Sequence, residues 1–436
     1  MAPRHDDTIY ALSSGRPPAG VALVRVSGVQ ATAALQQLTT TLPLPRQAAL
    51  RTLRDPADGS ILDRAMVLRF VGPASATGED VVELHLHGGP AVVAAVLRVM
   101  GTLPGLRLAE PGEFTRRGFD NDRFDLSQSE GLADLIGAET EAQRRLALEQ
   151  AGGRLRDKVE GWRDAIIALR AEAEAWLDFA EAEDDVEAGL ASAARAGEAI
   201  ARLRADVAAA LADAGRGMRL RDGLVIAVVG EPNVGKSSLI NVLSGRDAAI
   251  VSEHAGTTRD LIELPLAVAG VGVTLIDTAG LRETSDPVEA EGIRRARARA
   301  AQADLVLHVA EALPDAPLGQ VVINKIDRSG MAAGMRDGVI HVSASTGAGI
   351  AAFEAWLDDW VRAAVRPGEA ALVSQLRHRQ ALAAALDDID AALATDDLVL
   401  RAESLRLASR ALGRITGAVG VEDVLDAIFG RFCIGK

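Results

Sequence analysis

The sequence predicts a multidomain α/β plus all-α protein: an N-terminal α+β domain, a helical domain contributed by two chain halves, and an α/β domain inserted between them. Three observations carry this. A chain of 436 residues suffices for roughly three domains. Its texture alternates between short β-like runs and long stretches of Ala, Leu, Glu and Arg. One β-like run, "LVIAVV", leads directly into "GEPNVGKSS", a glycine-rich pattern that needs a strand before it and a helix after it.

Residues 1–120 carry "TIYALSS", "GVALVRVSG", "RAMVLRFVG" and "VVELHLHGG" as strands, then a helix after Pro90 and the run "LRLAE". Residues 121–218 form the first helical half. There Trp162, Ile166, Leu169, Ala173 and Trp176 recur at helical spacing and are expected in a core. The α/β domain covers 219–368, and the second helical half covers 369–436, with Leu376, Ile389, Leu393, Leu405, Leu412 and Ile415 among its apolar positions. "EAEDDVE" reads as a solvated loop or helix end.

Composition excludes several classes of function. A net charge of −14 argues against sequence-blind nucleic-acid binding, which depends on Lys and Arg neutralising phosphates. One Tyr, four Trp and eight Phe are too few for a base-stacking platform. The single cysteine, Cys433, excludes an internal disulfide and thiol-cluster metal sites. The charged start "MAPRHDDTIY" is no secretory signal, and no apolar run approaches the ~18 residues of a membrane span, so a cytoplasmic protein without membrane contact is expected.

The chemistry is written in the inserted domain. In "GEPNVGKSS" (230–238), backbone N–H groups around Asn233, Val234 and Gly235 close on phosphates, Lys236 reaches the β and γ oxygens, Ser237 binds magnesium, and Ser238 continues the helix start. Thr258 in "SEHAGTTRD" is placed to complete the magnesium shell. "DTAG" (277–280) ends a strand and offers Asp277 to the magnesium shell and the Gly280 N–H to the γ-phosphate, with Thr278 and Ala279 between them. In "NKID", Asp327 can accept from guanine N1 and N2, Asn324 addresses the opposite edge, and Lys325 packs over the ring. "SAS" supplies Ser343, Ala344 and Ser345, with the Ala344 N–H directed at guanine O6. The nucleotide is therefore GTP, held in a Ras-like P-loop domain. The glutamine that orients water in Ras-type enzymes is replaced here by Leu281, so another group must do so, and Glu283, Asp286, Glu289 and Glu291 are the candidates. No arginine finger is evident, because "RRARAR" (294–299) has the spacing of a solvated helix face. Asn233, with backbone carbonyls from "SEHAGTT", can hold a monovalent cation that would supply the missing charge. Between the strands "DLVLHVA" and "VVINKID" lie only ten residues with two prolines, which predicts that the usual crossover helix is absent.

Those motifs, with "DTIYALSSGRPPAGVALVRVSG", "TGEDVVELHLHGGP", "AEPGEFTRRGFDNDRFDLSQSEGLADLI", "DTAGLRETSDPVE" and the terminal "FCIGK", resemble the MnmE (TrmE) family of tRNA modification GTPases over nearly the whole chain. The resemblance implies an enzyme that works with a flavin (FAD)-containing partner, MnmG (GidA), on the C5 position of the wobble uridine of tRNA. It implies a 5,10-methylene- or 5-formyl-tetrahydrofolate one-carbon donor, a homodimer, and a heterotetramer with MnmG. It makes Glu289 the water-orienting carboxylate and puts potassium on Asn233, Ser252, His254 and Thr257, within a nucleotide loop that also includes Glu253, Ala255 and Gly256. It points to Arg25, Glu83, Arg123 and Lys436 for folate, Arg123 standing where the family usually has Lys, a change of reach and geometry. It puts the first 120 residues at the dimer contact and potassium behind the pairing of two GTPase domains.

Glu83, His85 and His87 share a strand face at a spacing a metal could use, but no further ligand cluster accompanies them. A GTP switch in ribosome assembly would use the same nucleotide motifs, yet no KH-like G-x-x-G loop follows them. "CIGK" is a poor lipidation box, since Gly435 is not aliphatic and no polybasic companion precedes it. The tail is expected to return to the N-terminal domain, with Cys433 a solitary thiol at the folate site, acting as nucleophile, redox group or packing residue.

Overall fold

In the computed structural model, the described residues are 7–179, 186–245, 263–277, 301–366, 371–420, 422–430 and 432–435. They divide into two compact units, residues 1–133 with 413–436, and residues 134–412.

The first unit is built on a six-stranded sheet of order β3-β4-β5-β2-β1-β6. Its strands are β1 Thr8–Leu12, β2 Val21–Ser27, β3 Ala49–Arg54, β4 Ile61–Phe70, β5 Val81–His87 and β6 Leu106–Leu108. All neighbours pair antiparallel except β1 with β6. Alternation decides its two faces. Val82, Leu84 and Leu86 of β5 join Val24, Val26, Ala65 and Val67 beneath helices α1 (Ala31–Leu38) and α2 (Pro90–Met100), whose Ala34, Leu35, Val96 and Met100 complete the core. The opposite face carries Arg25, Glu83 and His85, each partly exposed. Some elements of this unit were not foreseen. Strand β3 is a half-exposed edge strand, "ALRTLR", and α1 is short.

Helices α3 (Glu113–Asp120) and α4 (Leu126–Ile136) extend this unit. The residues 413–435 return to it: Phe429 and Phe432 pack with Leu126 and Ile428. Ile434 forms an antiparallel bridge to Pro111. Gly435, at φ 99°, lies so close to β1 that a Cβ there would stand 2.0 Å from the Leu12 carbonyl oxygen. The expected return of the tail to the N-terminal strands is thus observed through Gly435.

The second unit begins with α5 (Glu141–Ala151), opened by a capping box between Thr140 and Gln143, and continues through α6 (Arg154–Phe179) and the long α7 (Val186–Asp222). Trp162, Ile166, Leu169 and Ala173 are buried as their spacing predicts. The side chain of Trp176 lies outside the described residues. Helix α7 ends at Gly223, φ 79°, and passes directly into the second sheet, of order β12-β13-β11-β10-β7-β9-β8. Its strands are β7 Leu224–Val229, β8 Glu263–Val268, β9 Val271–Asp277, β10 Leu305–Ala310, β11 Gln320–Ile323, β12 Gly334–Arg336 and β13 Val339–His341. β7, β9, β10, β11 and β13 are parallel, as a P-loop domain requires. Leu239, Leu243, Phe353, Leu357 and Val361, from α8 (Lys236–Ser244) and α10 (Ile350–Val365), cover one face; between these helices in the chain lies the short α9 (Ile326–Ser329).

Parallel strands β10 and β11 are joined by residues 311–319 without a helix, as the prolines predict. The loop closes where the Leu318 N–H donates to His308 Nδ1 at 3.2 Å and where Gly319, φ 120°, leaves no room for a side chain against the Val306 carbonyl. Helices α11 (Leu376–Leu393) and α12 (Leu398–Thr416) follow; α13 (Glu422–Phe429) belongs to the first unit. Ile389, Leu405, Leu412 and Ile415 are buried. Leu376 corrects the apolar reading: as the first residue of α11 it is exposed.

Candidate functional site

The phosphate loop is held by backbone geometry that few residues tolerate. Gly230 adopts φ 146°, and a Cβ on it would meet the Val309 carbonyl oxygen at 2.1 Å; Gly235 adopts φ 96°, with Asn324 Nδ2 where its Cβ would point. Asn233 is also left-handed, at φ 66°. Gly235 gives α8 no side-chain cap, so the N–H groups of the first turn are open to an anion and the positive helix end faces it. Lys236 is buried, its Nζ donating to the carbonyls of Gly230 at 2.8 Å and Glu231 at 2.7 Å. Its cation therefore lies at the mouth of the loop. Ser237 Oγ donates to Asp277 Oδ2 at 3.0 Å, bringing together two side chains expected around magnesium. Val234 is buried in the sheet core, while Ser238 is exposed on α8.

The base-reading loops brace this phosphate loop. Buried Asn324 donates from Nδ2 to the Val234 carbonyl at 3.0 Å and accepts the Ala344 N–H at Oδ1, also at 3.0 Å. Lys325, at φ 59°, donates from Nζ to the Asn233 carbonyl at 2.6 Å and pairs with Glu311 at 2.5 Å. Asp327 Oδ1 accepts the Ser343 hydroxyl at 2.6 Å, and Ser345 Oγ lies 3.0 Å from Ser343. The Ser343 hydrogen bond holds the Asp327 carboxyl below its ordinary range, so Asp327 is an anion poised to accept N–H donors. An anion cradle beside a donor-accepting carboxylate can take a guanine nucleotide.

Sequence reading did not anticipate Glu311. Its signal was an acidic residue directly after β10, one strand from "NKID". Several expected residues lie outside the described ones: Ser252, Glu253, His254, Ala255, Gly256, Thr257, Thr258, Thr278, Ala279, Gly280, Leu281, Glu283, Asp286, Glu289, Glu291, residues 294–299 and Lys436.

A second constellation occupies the open face of the first sheet. Arg25 and Glu83 face each other across β2 and β5, and Arg25 donates from Nε (3.1 Å) and Nη2 (2.9 Å) to the same oxygen, Oε1. The Arg25 guanidinium also sits 5.7 Å from the Phe114 ring centre. His85 Nε2 lies 3.7 Å from Glu83 Oε2 and is buried without a hydrogen-bond partner. At the strand end His87 takes another partner, its Nδ1 2.7 Å from Asp63 Oδ1. Burial raises the Asp63 pKa, but the hydrogen bonds from the His87 N–H and ring outweigh it and leave the carboxyl low. No group of three or more His, Cys, Asp or Glu side chains that could hold a metal ion forms among the described residues. Arg123 is exposed after α3, its N–H bonded to the Gly118 carbonyl, and Cys433 is exposed beside the bridge at Ile434. Asp63 was missed because a buried aspartate inside a strand leaves no periodic mark.

Comparison with known proteins gives matches along the whole chain. The family model described as GTP-binding protein TrmE N-terminus matches residues 8–123, and that of the MnmE helical domain matches 126–433. A protein of Azorhizobium caulinodans named tRNA modification GTPase MnmE is 54% identical over 99% of this chain and 100% of its own length. One of the same name from Parvibaculum lavamentivorans is 52% identical, again over 99% and 100%. Among solved structures, the G domain of the T. maritima FeoB iron transporter covers 33% of this chain and 99% of its own, at 24% identity and a TM-score of 0.22.

Proposed function

The chain belongs to the MnmE family of tRNA modification GTPases, and from that premise we propose that it hydrolyses GTP in the course of modifying C5 of the wobble uridine of tRNA. The observation that carries the reading is the bracing of the phosphate loop by Asn324 and Lys325. Asn324 also accepts the Ala344 N–H, so the cradle is tied to the loop whose Ser343 holds the guanine-reading carboxylate of Asp327. Lys236 and the α8 N–H groups take the phosphate charge, and Asp327 takes the N–H edge of guanine. Ser237 and Thr258 would hold magnesium, and Asn233, Ser252, His254 and Thr257 potassium; these ions would supply positive charge against the phosphates. Glu289 orients the attacking water, the task Leu281 cannot perform.

The second constellation serves a tetrahydrofolate, the 5,10-methylene or 5-formyl form, on Arg25, Glu83, Arg123 and Lys436. A paired Arg–Glu beside an unsatisfied buried nitrogen fits a ligand with both donors and acceptors. Gly435 lies against β1, whose Ala11 pairs with Arg25, so the described tail reaches the sheet that carries Arg25 and Glu83. The bound folate would supply the one-carbon unit, with FAD carried by MnmG. The same reading gives a homodimer joined through residues 1–120, a heterotetramer with MnmG, work in the cytoplasm, and domains limited at 1–120, 121–218, 219–368 and 369–436. A GTP switch in ribosome assembly draws no support from the relatives' names.

Nucleoside analysis of tRNA from a strain lacking this protein should reveal unmodified wobble uridines; an unchanged profile would sink the modification reading. Equal hydrolysis rates in potassium and sodium buffers would remove the potassium site. Glu289→Ala should bind GTP and hardly hydrolyse it, and undiminished turnover would acquit Glu289.

A further inference from the structure

We infer that His85 is a positioning residue that fixes the Glu83 carboxylate for ligand, an inference that rests on the folate reading of this face. Glu83 is clamped on one side only. Both Arg25 hydrogen bonds go to Oε1, at 3.1 and 2.9 Å. The other oxygen, Oε2, faces His85 Nε2 across 3.7 Å, just beyond hydrogen-bond reach. That nitrogen is buried without a partner, although the His85 side chain as a whole is 24% exposed.

Buried polar atoms are rarely left unsatisfied, and one that is calls for an explanation in strain, ligand or motion. Here a small rotation of the imidazole or the carboxylate closes the gap. The strand architecture makes that the cheapest relief. His85 is two residues from Glu83 on the same face of β5, between Leu23 of β2 and Met66 of β4, neither of which offers a side-chain hydrogen-bond partner. Its Nε2 therefore has Glu83 as its neighbour in the site.

A ligand that donates N–H groups to Glu83 needs the carboxylate plane fixed. The amino-pyrimidinone edge of a reduced pterin, with its ring N–H and adjacent amino group, is such a ligand. Arg25 alone leaves the carboxylate free to turn about its single held oxygen. With His85 donating to Oε2, both oxygens are held and the remaining lone pairs point outward. His85 thus acts on the ligand through Glu83.

The experiment measures the affinity of the full-length protein for 5-formyltetrahydrofolate by titration calorimetry, with thermal unfolding as the check on folding. His85→Leu keeps the bulk and removes the donor; binding should weaken about tenfold, the worth of one hydrogen bond to a charged group. His85→Gln, whose amide N–H can reach the same oxygen, should recover most of that loss. In a Glu83→Gln background, His85→Leu should add little, because the two residues act as one unit. Wild-type affinity in His85→Leu, equal losses in the Leu and Gln variants, or fully additive losses with Glu83→Gln would each overturn the inference. If Glu83→Gln and Arg25→Met bind as the wild type does, the folate reading itself falls.

Discussion

Arg117→Met should destabilise the first unit by about 3 kcal/mol, and the number follows from its surroundings. The Arg117 side chain is wholly buried and donates to the Asp7 carbonyl at 3.0 Å, Asp7 Oδ1 at 2.7 Å, both Glu79 oxygens at 3.2 Å and Glu113 Oε1 at 3.0 Å. Removing one partner of a buried charge network costs roughly 3–5 kcal/mol, because the others stay buried without compensation. The lower end applies here. Glu113 keeps Arg107 at 2.6 and 2.8 Å, Glu79 keeps the Ser27 hydroxyl at 2.7 Å, and Asp7 is 40% exposed. For a unit of this size, that energy lowers the melting temperature by roughly 6–12 °C. The pH dependence supplies a second readout. Burial raises the Glu113 pKa, but the hydrogen bonds from Arg107, the Glu110 N–H and Arg117 outweigh it and hold it below its ordinary 4.5. A carboxyl so depressed contributes stability that is complete above the ordinary pKa and is lost as pH falls through the folded value. The variant should therefore lose less on acidification, and the gap to the wild type should narrow between about pH 5 and 3. Differential scanning fluorimetry across that range is the assay. A melting temperature within a degree of the wild type at pH 7 would refute the reasoning and make Arg117 replaceable by any buried side chain of its size.

Two glycines of α7 should answer in opposite directions. A Cβ on Gly217 would stand 1.9 Å from the Val373 carbonyl oxygen, so Gly217→Ala should cost about 1–3 kcal/mol or more, whereas Gly215 has open space and Gly215→Ala should gain about 1 kcal/mol. Equal melting temperatures for the two variants would show that α7 does not lie against residues 371–373 as described. Glu311→Gln should speed release of fluorescent GDP about two- to fivefold by loosening Lys325, within the range of an exposed ion pair, and Glu311→Asp should partly restore it. An unaltered release rate in stopped flow would leave Glu311 as surface charge.

What the sequence made legible was mostly local. The Gly230 and Gly235 positions could be read because a phosphate loop demands backbone that only glycine adopts easily, and two prolines in nine residues ruled out the β10–β11 helix. Strands β1, β2, β4 and β5 were visible through apolar runs and alternation, while β3, at the sheet edge with an arginine directly after each leucine, carried too weak a pattern. Partnerships between distant residues were not legible. "TRRGF" gives no hint that Arg117 is buried and Arg116 only half-buried, since only the helix face of α3 decides it. Glu311 with Lys325 and Asp63 with His87 are likewise products of strand order. The exposure of Leu376 depends on its being the first residue of its helix, a boundary that composition does not fix.

The placement of Gly435 against Leu12 sets a timetable for synthesis. Strand β1 leaves the ribosome early, but the residues that close over its end are made only after all of 134–412. At ordinary elongation rates that interval is on the order of tens of seconds. During it the Arg25–Glu83 face has its sheet without the Ile434–Gly435 segment, and the intervening unit can finish folding first. A nascent chain paused before residue 432 would carry a nucleotide domain already able to bind GTP and a first unit still lacking its closing segment.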